Sequence, residues 1–474
     1  MVYIAAVLNK KNLDASKFIQ KMLGNIQQFK ECYVGVSSTQ NIEYIKEPRS
    51  IKNEADCLLC VINPKNDYPL QALLQDHALA FEGYIFQFVE SDAIWVANKI
   101  RFNPEKGIAD MIKESYGAFS ITTIKDDSIL CGKDTVGTIP LYYGENGSVA
   151  AVTNNKKMLW SINLKPLPVL PGTILRLSKN KKSIARVSEL SLPKIRKYPE
   201  DKSISTIHKI FTDIADMLVR KNPQCAVSFS GGIDSTLVAY YLKESGAKVD
   251  LICVGIGQRK EYSKARLAAD YLDLPLLIEP KNSLELEKAL PEIIRMVEDP
   301  NLMKIGVAAP LYFSAKEALK MNHLQLFSGN GSDELFGGYK KYLTKHIEGQ
   351  DPRSDMFKDV KNSWKTNFDR DTKVCRDIGI KLILPFAHPR LINYGLTLPL
   401  EYLLPNKIDE PRKLIIRKLA KSLSIPDEIS NRPKKAAQYS SGVNKAIYQI
   451  AKKHGEKPWD YLRELYVEMK REYT

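Results

Sequence analysis

The stretch Cys225–Gly246, CAVSFSGGIDSTLVAYYLKESG, does most to limit the folds open to this chain. CAVSF has the apolar run of a short buried strand and two glycines follow it closely. DSTLVAYYLKES then takes helical spacing until Gly246 stops it. KVDLICVGI is the next strand. Strands joined through a helix run parallel, because a tight turn can only bring a strand back antiparallel. The helical segments STIHKIFTDIADMLVRKN before the stretch, and SKARLAADYLDL and LELEKALPEIIRMVED after it, repeat the rhythm. That alternation predicts a doubly wound α/β sheet with its ligand at the carboxyl ends of the strands. From Asp371 onward the pattern is mostly helical.

Residues 1 to about 190 follow a different rule. VYIAAVL, CYVGVS, CLLCVIN, GYIFQFVE, AIWVANKI, GAFSITTIKDDSILCGKD, PLYYGENGSVAAVT and GTILRLSKN read as short strands punctuated by Gly, Asn, Asp and Pro. They predict a strand-rich two-sheet domain. The polar stretch SELSLPKIRKYPEDKSIS carries two prolines and little apolar periodicity, so the linker is expected between about 185 and 205, dividing the chain into 1–190 and 191–474.

The glycine pair has a chemical reading. Gly231 and Gly232 let backbone approach an anion, and the helix behind them points unpaired N–H groups and a positive dipole end at it. Ser230 and Ser235 add hydroxyls, and Asp234 is a candidate magnesium ligand. With no GK[ST], the loop is not a Walker P-loop; SGGIDS is similar to the pyrophosphate loop of the ATP pyrophosphatases, which cleave ATP between its α and β phosphates.

A second glycine-rich loop, FSGNGSDELFGGY at 327–339, follows the strand-like run HLQLF. It resembles the synthetase domain of the asparagine synthetase and beta-lactam synthetase family. The resemblance extends through CVGIG, EDP at 298–300, LPFAHPRLINY, RKLIIRKLAK and NRPKKAAQYSSG, and more weakly through FEGYIFQF, GKDTVGTIPLYYG and LPVLPGTILRL in the first half. It implies an α+β, Ntn-hydrolase-like two-sheet domain of the class II glutamine amidotransferase type, followed by an α/β doubly wound PP-loop ATP-pyrophosphatase domain with a helical C-terminal part. By the same resemblance Ser230, Gly231, Gly232, Asp234 and Ser235 bind pyrophosphate and magnesium, Val254 lies beside adenine, and Ser328 and Gly329 touch AMP. Asp333 is a magnesium or phosphate ligand. Lys435, with Lys434 as the one-residue alternative, stabilises charge at the α-phosphate. The cofactors implied are ATP and Mg2+, and the activity is adenylation of a carboxylate, aspartate above all, with transfer to ammonia or an amine.

Four features depart from that pattern. The family's nucleophile is a cysteine directly after the initiator methionine, but position 2 is Val2 and no Ser, Thr or Cys precedes Ser16. The Asn-Gly-Glu that holds glutamine reads Glu82, Gly83, Tyr84, so a silent glutaminase is expected. In the synthetase half, Asn330 replaces a glutamate base, and His388 stands in PFAH where the family has an aspartate. His388 reads either as a substitute base or as a packed cap before Pro389.

Composition bounds the alternatives. The 474 residues are 44% apolar and 26% charged, with no run approaching the roughly 20 apolar residues of a membrane span. The N-terminus lacks a signal-peptide pattern, and seven scattered cysteines fit a reduced compartment; a cytoplasmic protein is expected. Cys57 and Cys60 form a CxxC with no second pair to complete a zinc site. The net charge of +15 suits a polyanion such as tRNA, or a generally lysine-rich surface, since acids and bases are interspersed. The readings held open beside the asparagine synthetase type are a beta-lactam-synthetase-like or tRNA-base-amidating enzyme and a non-catalytic nucleotide-binding subunit. A separate amidotransferase partner and a homodimer also stay open.

Overall fold

The computed structural model of the chain describes residues 2–24, 33–38, 42–45, 51, 54–63, 71–74, 77–87, 89, 91–258, 260–433 and 437–473. It divides into two compact units, 1–190 with 467–474, and 191–466.

The first unit contains two antiparallel sheets. In one, Tyr3–Asn9 sits centrally, hydrogen-bonded to Val149–Thr153 on one side and Cys57–Asn63 on the other. The other runs through His77–Ile85, Gly117–Lys125, Ser128–Lys133 and Thr173–Leu177. Strand Tyr3–Asn9 is apolar almost throughout because both of its faces are buried. Ile4, Ala6 and Leu8 face the second sheet, against Ala80, Ile124, Cys131 and Leu175. Tyr3, Ala5 and Val7 pack under the helix Ser16–Gly24, against Ile19, Met22 and Leu23. Cys57 and Cys60 fall in these two separate cores, on opposite faces of one strand, so their thiols cannot share a metal.

Among the strands expected in this unit, one run differs. The run AIWVANKI lies in a helix, Asp92–Ile100, not a strand. Ala93, Val96, Ala97 and Ile100 bury one side at helical spacing, and Ser91 caps the start by accepting from the N–H of Ile94. Their packing against Phe81, Ile108 and Phe119 overrides the β preference of Ile, Trp and Val.

The second unit is built on a five-stranded parallel sheet. Its order is Leu276–Lys281, Lys248–Ile256, Gln224–Ser228, Gln325–Phe327, Lys381–Ile383, every pair parallel. Cys225, Ala226, Val227, Leu251, Ile252, Leu326 and Phe327 are fully buried in it. The entering helix Glu200–Lys221 buries Ile207, Ile210, Phe211, Ile214 and Leu218 along one stripe, and the Phe211 ring stacks on Tyr241 at 5.0 Å. It begins inside the stretch expected to be linker, since Glu200 and Asp201 suit a helix N-terminus. Among the described residues no helix is long and apolar enough to cross a membrane.

Candidate functional site

The first three strands of the parallel sheet step one way from Gln224–Ser228, and the last two step the other. The reversal falls between Gln224–Ser228 and Gln325–Phe327, where a crevice opens beyond the carboxyl ends. Both strands run into a Ser-Gly loop at that point.

The first loop is held open by its own hydroxyls. Ser235 Oγ donates to the Gly232 carbonyl at 3.1 Å and accepts from the Ser230 N–H at 3.3 Å, while Ser230 Oγ accepts from the Gly232 N–H at 3.3 Å. Gly231 has φ +63°, and a Cβ there would lie 2.6 Å from the Cα of Ala265. Only glycine permits that backbone path. Gly232 caps the 12-residue helix Ile233–Glu244 without a side-chain bond, which leaves first-turn N–H groups for a ligand.

The second loop packs on the first. A Cβ on Gly329 would meet the Cβ of Asp234 at 2.8 Å, so the glycine sets the closeness of the two walls. Ser332 Oγ donates to Asp234 Oδ1 at 2.7 Å. Asp234 and Asp333, the expected magnesium ligands, converge on one ammonium group. Lys413 Nζ lies 2.8 and 2.7 Å from the two Asp234 oxygens, 2.7 Å from Asp333 Oδ1 and 3.1 Å from Ser332 Oγ. The Lys413 side chain is 2% exposed. Lys413 fills the cation position between the two carboxylates, which with the Ser332 hydroxyl beside them are a donor set of the kind that suits Mg2+, an ion that takes one or two carboxylates plus phosphate oxygens. Lys413 had no assigned role in the sequence reading. It sits in RKLIIRKLAK as one basic residue among several, and nothing local announces that it is buried.

The cleft is lined by Ser228–Ser230, Asp234 and Ser235 from the first loop and by Ser328–Asn330 and Asp333 from the second. Val254 with its neighbours Cys253 and Gly255 forms another wall, and Arg432, Ser440 and Ser441 close it from the C-terminal region. Arg432 Nη1 donates to the Ser230 carbonyl at 3.0 Å. Arg417 lies in an adjoining recess with Lys413 and Arg432; burial pulls its pKa down to about 10, opposed by nearby Asp234 and aided by Arg412. Its Nη2 donates to the Arg432 carbonyl at 3.1 Å. Lys435 and Lys434 lie outside the described residues, between Arg432 and Ser440.

His388 is not among the cleft-lining residues. It is 7% exposed and caps the helix Pro389–Gly395, Nδ1 accepting from the Arg390 N–H at 3.2 Å. Burial, with Arg390 adding to it, holds its pKa down at about 3, so the ring is neutral at pH 7. The geometry is that of the capping alternative. Asn330 does line the cleft, and its Nδ2 donates to Asp371 Oδ2 at 2.7 Å.

A parallel sheet with two Ser-Gly loops at its switch point places the second unit in the doubly wound α/β class. The family model for asparagine synthase matches residues 206–354 and 344–460, more than half of the chain, and the chain belongs to that family. The family places it among ATP-dependent amide synthetases. A glutamine-hydrolysing asparagine synthetase homologue of Methanocaldococcus jannaschii is 29% identical over 388 residues, 71% of this chain and 71% of the relative. The asparagine synthetases of Cricetulus griseus and Homo sapiens are 28% and 26% identical, each over 69% of this chain and 63% of the relative's length. Among solved structures, a glutamine phosphoribosylpyrophosphate amidotransferase from B. subtilis aligns at a TM-score of 0.36 and 13% identity over 58% of this chain and 90% of that one, too low a score to bear on the fold.

Proposed function

We propose that the chain adenylates a carboxylate with ATP and passes the acyl group to ammonia or an amine, with aspartate as the first carboxylate to test. The observation that carries this is the convergence of Asp234 and Asp333, from two Ser-Gly loops in contact at Gly329, on a single cation position. In this reading the two-sheet unit is Ntn-hydrolase-like and the second unit is a PP-loop pyrophosphatase. Asp234 and Asp333 would hold Mg2+, which would supply charge neutralisation to the phosphates. The N–H groups behind Gly232 and the hydroxyls of Ser230 and Ser235 hold the β- and γ-phosphates, Ser328 and Gly329 flank the AMP portion, and Val254 faces the adenine. A carboxylate oxygen of the substrate attacks the α-phosphorus and pyrophosphate leaves. The nitrogen then attacks the acyl carbon, AMP leaves, and the nitrogen's surplus proton passes to water. Lys435 is assigned to the charge that builds on the α-phosphate, and Lys413 and Arg417 to the pyrophosphate side.

A silent glutaminase fits the first unit. Asn154 fills the start of the first strand with internal bonds: its Nδ2 donates to the Val2 carbonyl at 2.7 Å and to Glu82 Oε2 at 2.6 Å, and its Oδ1 accepts from the Ile4 N–H at 3.2 Å. The Glu82 carboxylate, in the Glu82-Gly83-Tyr84 run, is thus engaged by the chain's own Asn154. The test is ATP–pyrophosphate exchange with aspartate, followed by amide formation with ammonium chloride or glutamine as nitrogen source. Exchange and ammonium-dependent amide formation are expected, with no glutamate released from glutamine. Absence of exchange with aspartate removes that substrate, and absence with every carboxylate of a panel of amino acids and their β- and γ-carboxylates removes the adenylation reading.

A further inference from the structure

The ammonium of Lys413 and a divalent ion compete for the same oxygens. Nζ lies 2.8 and 2.7 Å from the two oxygens of Asp234 and 2.7 Å from Asp333 Oδ1. It also donates to Ser332 Oγ at 3.1 Å, whose own hydrogen goes to Asp234 Oδ1 at 2.7 Å. Mg2+ bonds carboxylate oxygens at roughly 2.0–2.1 Å, so an ion shared by Asp234 and Asp333 takes the ground on which the ammonium stands. The displaced ammonium then needs another counter-charge. Its side chain is 2% exposed, and a buried cation without a partner is strongly unfavourable. The recess that Lys413 lines with Ser230, Gly232 and Arg417 lies at the start of the helix Ile233–Glu244, whose first N–H groups suit an anion. Arg417 is pinned there: Nε donates to the Arg412 carbonyl, Nη1 to the Ser430 carbonyl and Nη2 to the Arg432 carbonyl at 3.1 Å. Of these two cations, Lys413 is the one able to change partner. Its backbone, φ 63° and ψ 47° before the helix Leu414–Ser422, is in the left-handed region, which a lysine keeps only where its surroundings hold it.

Resting on the reading above that this cleft takes ATP with Mg2+, we propose that Lys413 is a built-in stand-in for the metal. It bars a free divalent ion from Asp234 and Asp333, and gives way only when phosphates reach the recess and offer the ammonium a new counter-charge. Metal and nucleotide therefore enter as one unit. Each raises the other's affinity by the same factor, because binding free energies are reciprocal. The cleft is thereby kept from loading bare metal ahead of its substrate.

The test uses the full chain and reads binding, not turnover. Mn2+ is the metal probe, followed by equilibrium dialysis, and the nucleotide is ATP with a methylene bridge between its α and β phosphates, which cannot be cleaved there. Against an analogue-only control, the wild-type chain is expected to bind Mn2+ about tenfold or more tighter with the analogue than without it. Lys413→Met is expected to bind Mn2+ alone about tenfold tighter than wild type and to lose most of its dependence on the analogue. Lys413→Gln keeps a donor for Asp234 without the charge, so it should behave alike and serves as the second variant. Mg2+ alone should raise the melting temperature of either variant by several degrees and move wild type by less than about 2 °C. Adding Asp333→Asn to Lys413→Gln should remove the gain in Mn2+ affinity. A merely structural Lys413 would lower stability without any such gain. Wild-type Mn2+ binding that is equally tight with and without the analogue overturns the inference, a comparison that needs no variant to fold. Mn2+ affinity unmoved in both variants overturns it as well. Absence of ATP–pyrophosphate exchange with every carboxylate removes the adenylation reading instead, and the metal titrations still decide this one.

Discussion

His388 shows how a residue type narrows chemistry without fixing it. A histidine in PFAHPR reads equally as a base and as a cap. The deciding quantities are its burial and the direction of Nδ1, and the burial is set by residues distant in sequence. The residue before a proline is driven toward extended backbone, and His388 has φ −66° and ψ 129° with Pro389 at the first helical position. That much was legible; the cap itself was one of two readings. The burial has a measurable sign. An unfolded histidine takes a proton near pH 6.5, while the native ring is held down to about 3. Below about pH 6.5 the unfolded chain therefore binds a proton that the native state refuses. The stability due to this residue is whole above that pH and is lost progressively toward pH 3, by up to about 1.4 kcal/mol per unit. His388→Asn keeps an acceptor for Arg390, so urea denaturation is expected to show a shallower acid limb below about pH 6. A slope identical to wild type would mean that the ring is protonated in the fold.

At the scale of elements, helix starts are fixed by caps that apolar spacing does not give. The helix Ser283–Val297 follows Asn282 with Glu285 three residues on, and both arms of that box form: Asn282 Oδ1 accepts from the Glu285 N–H at 2.9 Å and Glu285 Oε2 from the Asn282 N–H at 2.7 Å. Asn282→Ala is expected to cost about 1 kcal/mol, read as a lower urea midpoint with unchanged slope, since the box lies at the surface away from the cleft. The helix Asp92–Ile100 carried a similar signal in Ser91-Asp92, but the dense apolar run behind it fits two periods at once and composition favoured the wrong one. The SGGIDS turn was readable because its constraint is local: positive φ at Gly231 and a helix directly behind. The contact between the two loops was not, because Gly329 and Asp234 are far apart in the chain and nothing in either loop names the other.

At the scale of the whole molecule, the division into a two-sheet region and a parallel-sheet region could be read from hydrophobic period alone. The long-range chemistry could not. Lys413 is 179 positions from Asp234, and its role exists only once both strands have been laid side by side. The partnership has a consequence for life without metal. Two carboxylates facing one another across a narrow cleft would repel, yet here the chain carries its own counter-charge between them. Removing magnesium with EDTA is accordingly expected to abolish exchange while moving the melting temperature by less than about 2 °C, and Lys413→Met is expected to unfold several degrees lower under the same chelation. A large melting shift in the wild-type chain on chelation would count against this. Metal starvation would then act on this protein as a pause instead of a loss: the chain stays folded, escapes proteolysis, and resumes when the ion returns, with no new synthesis required.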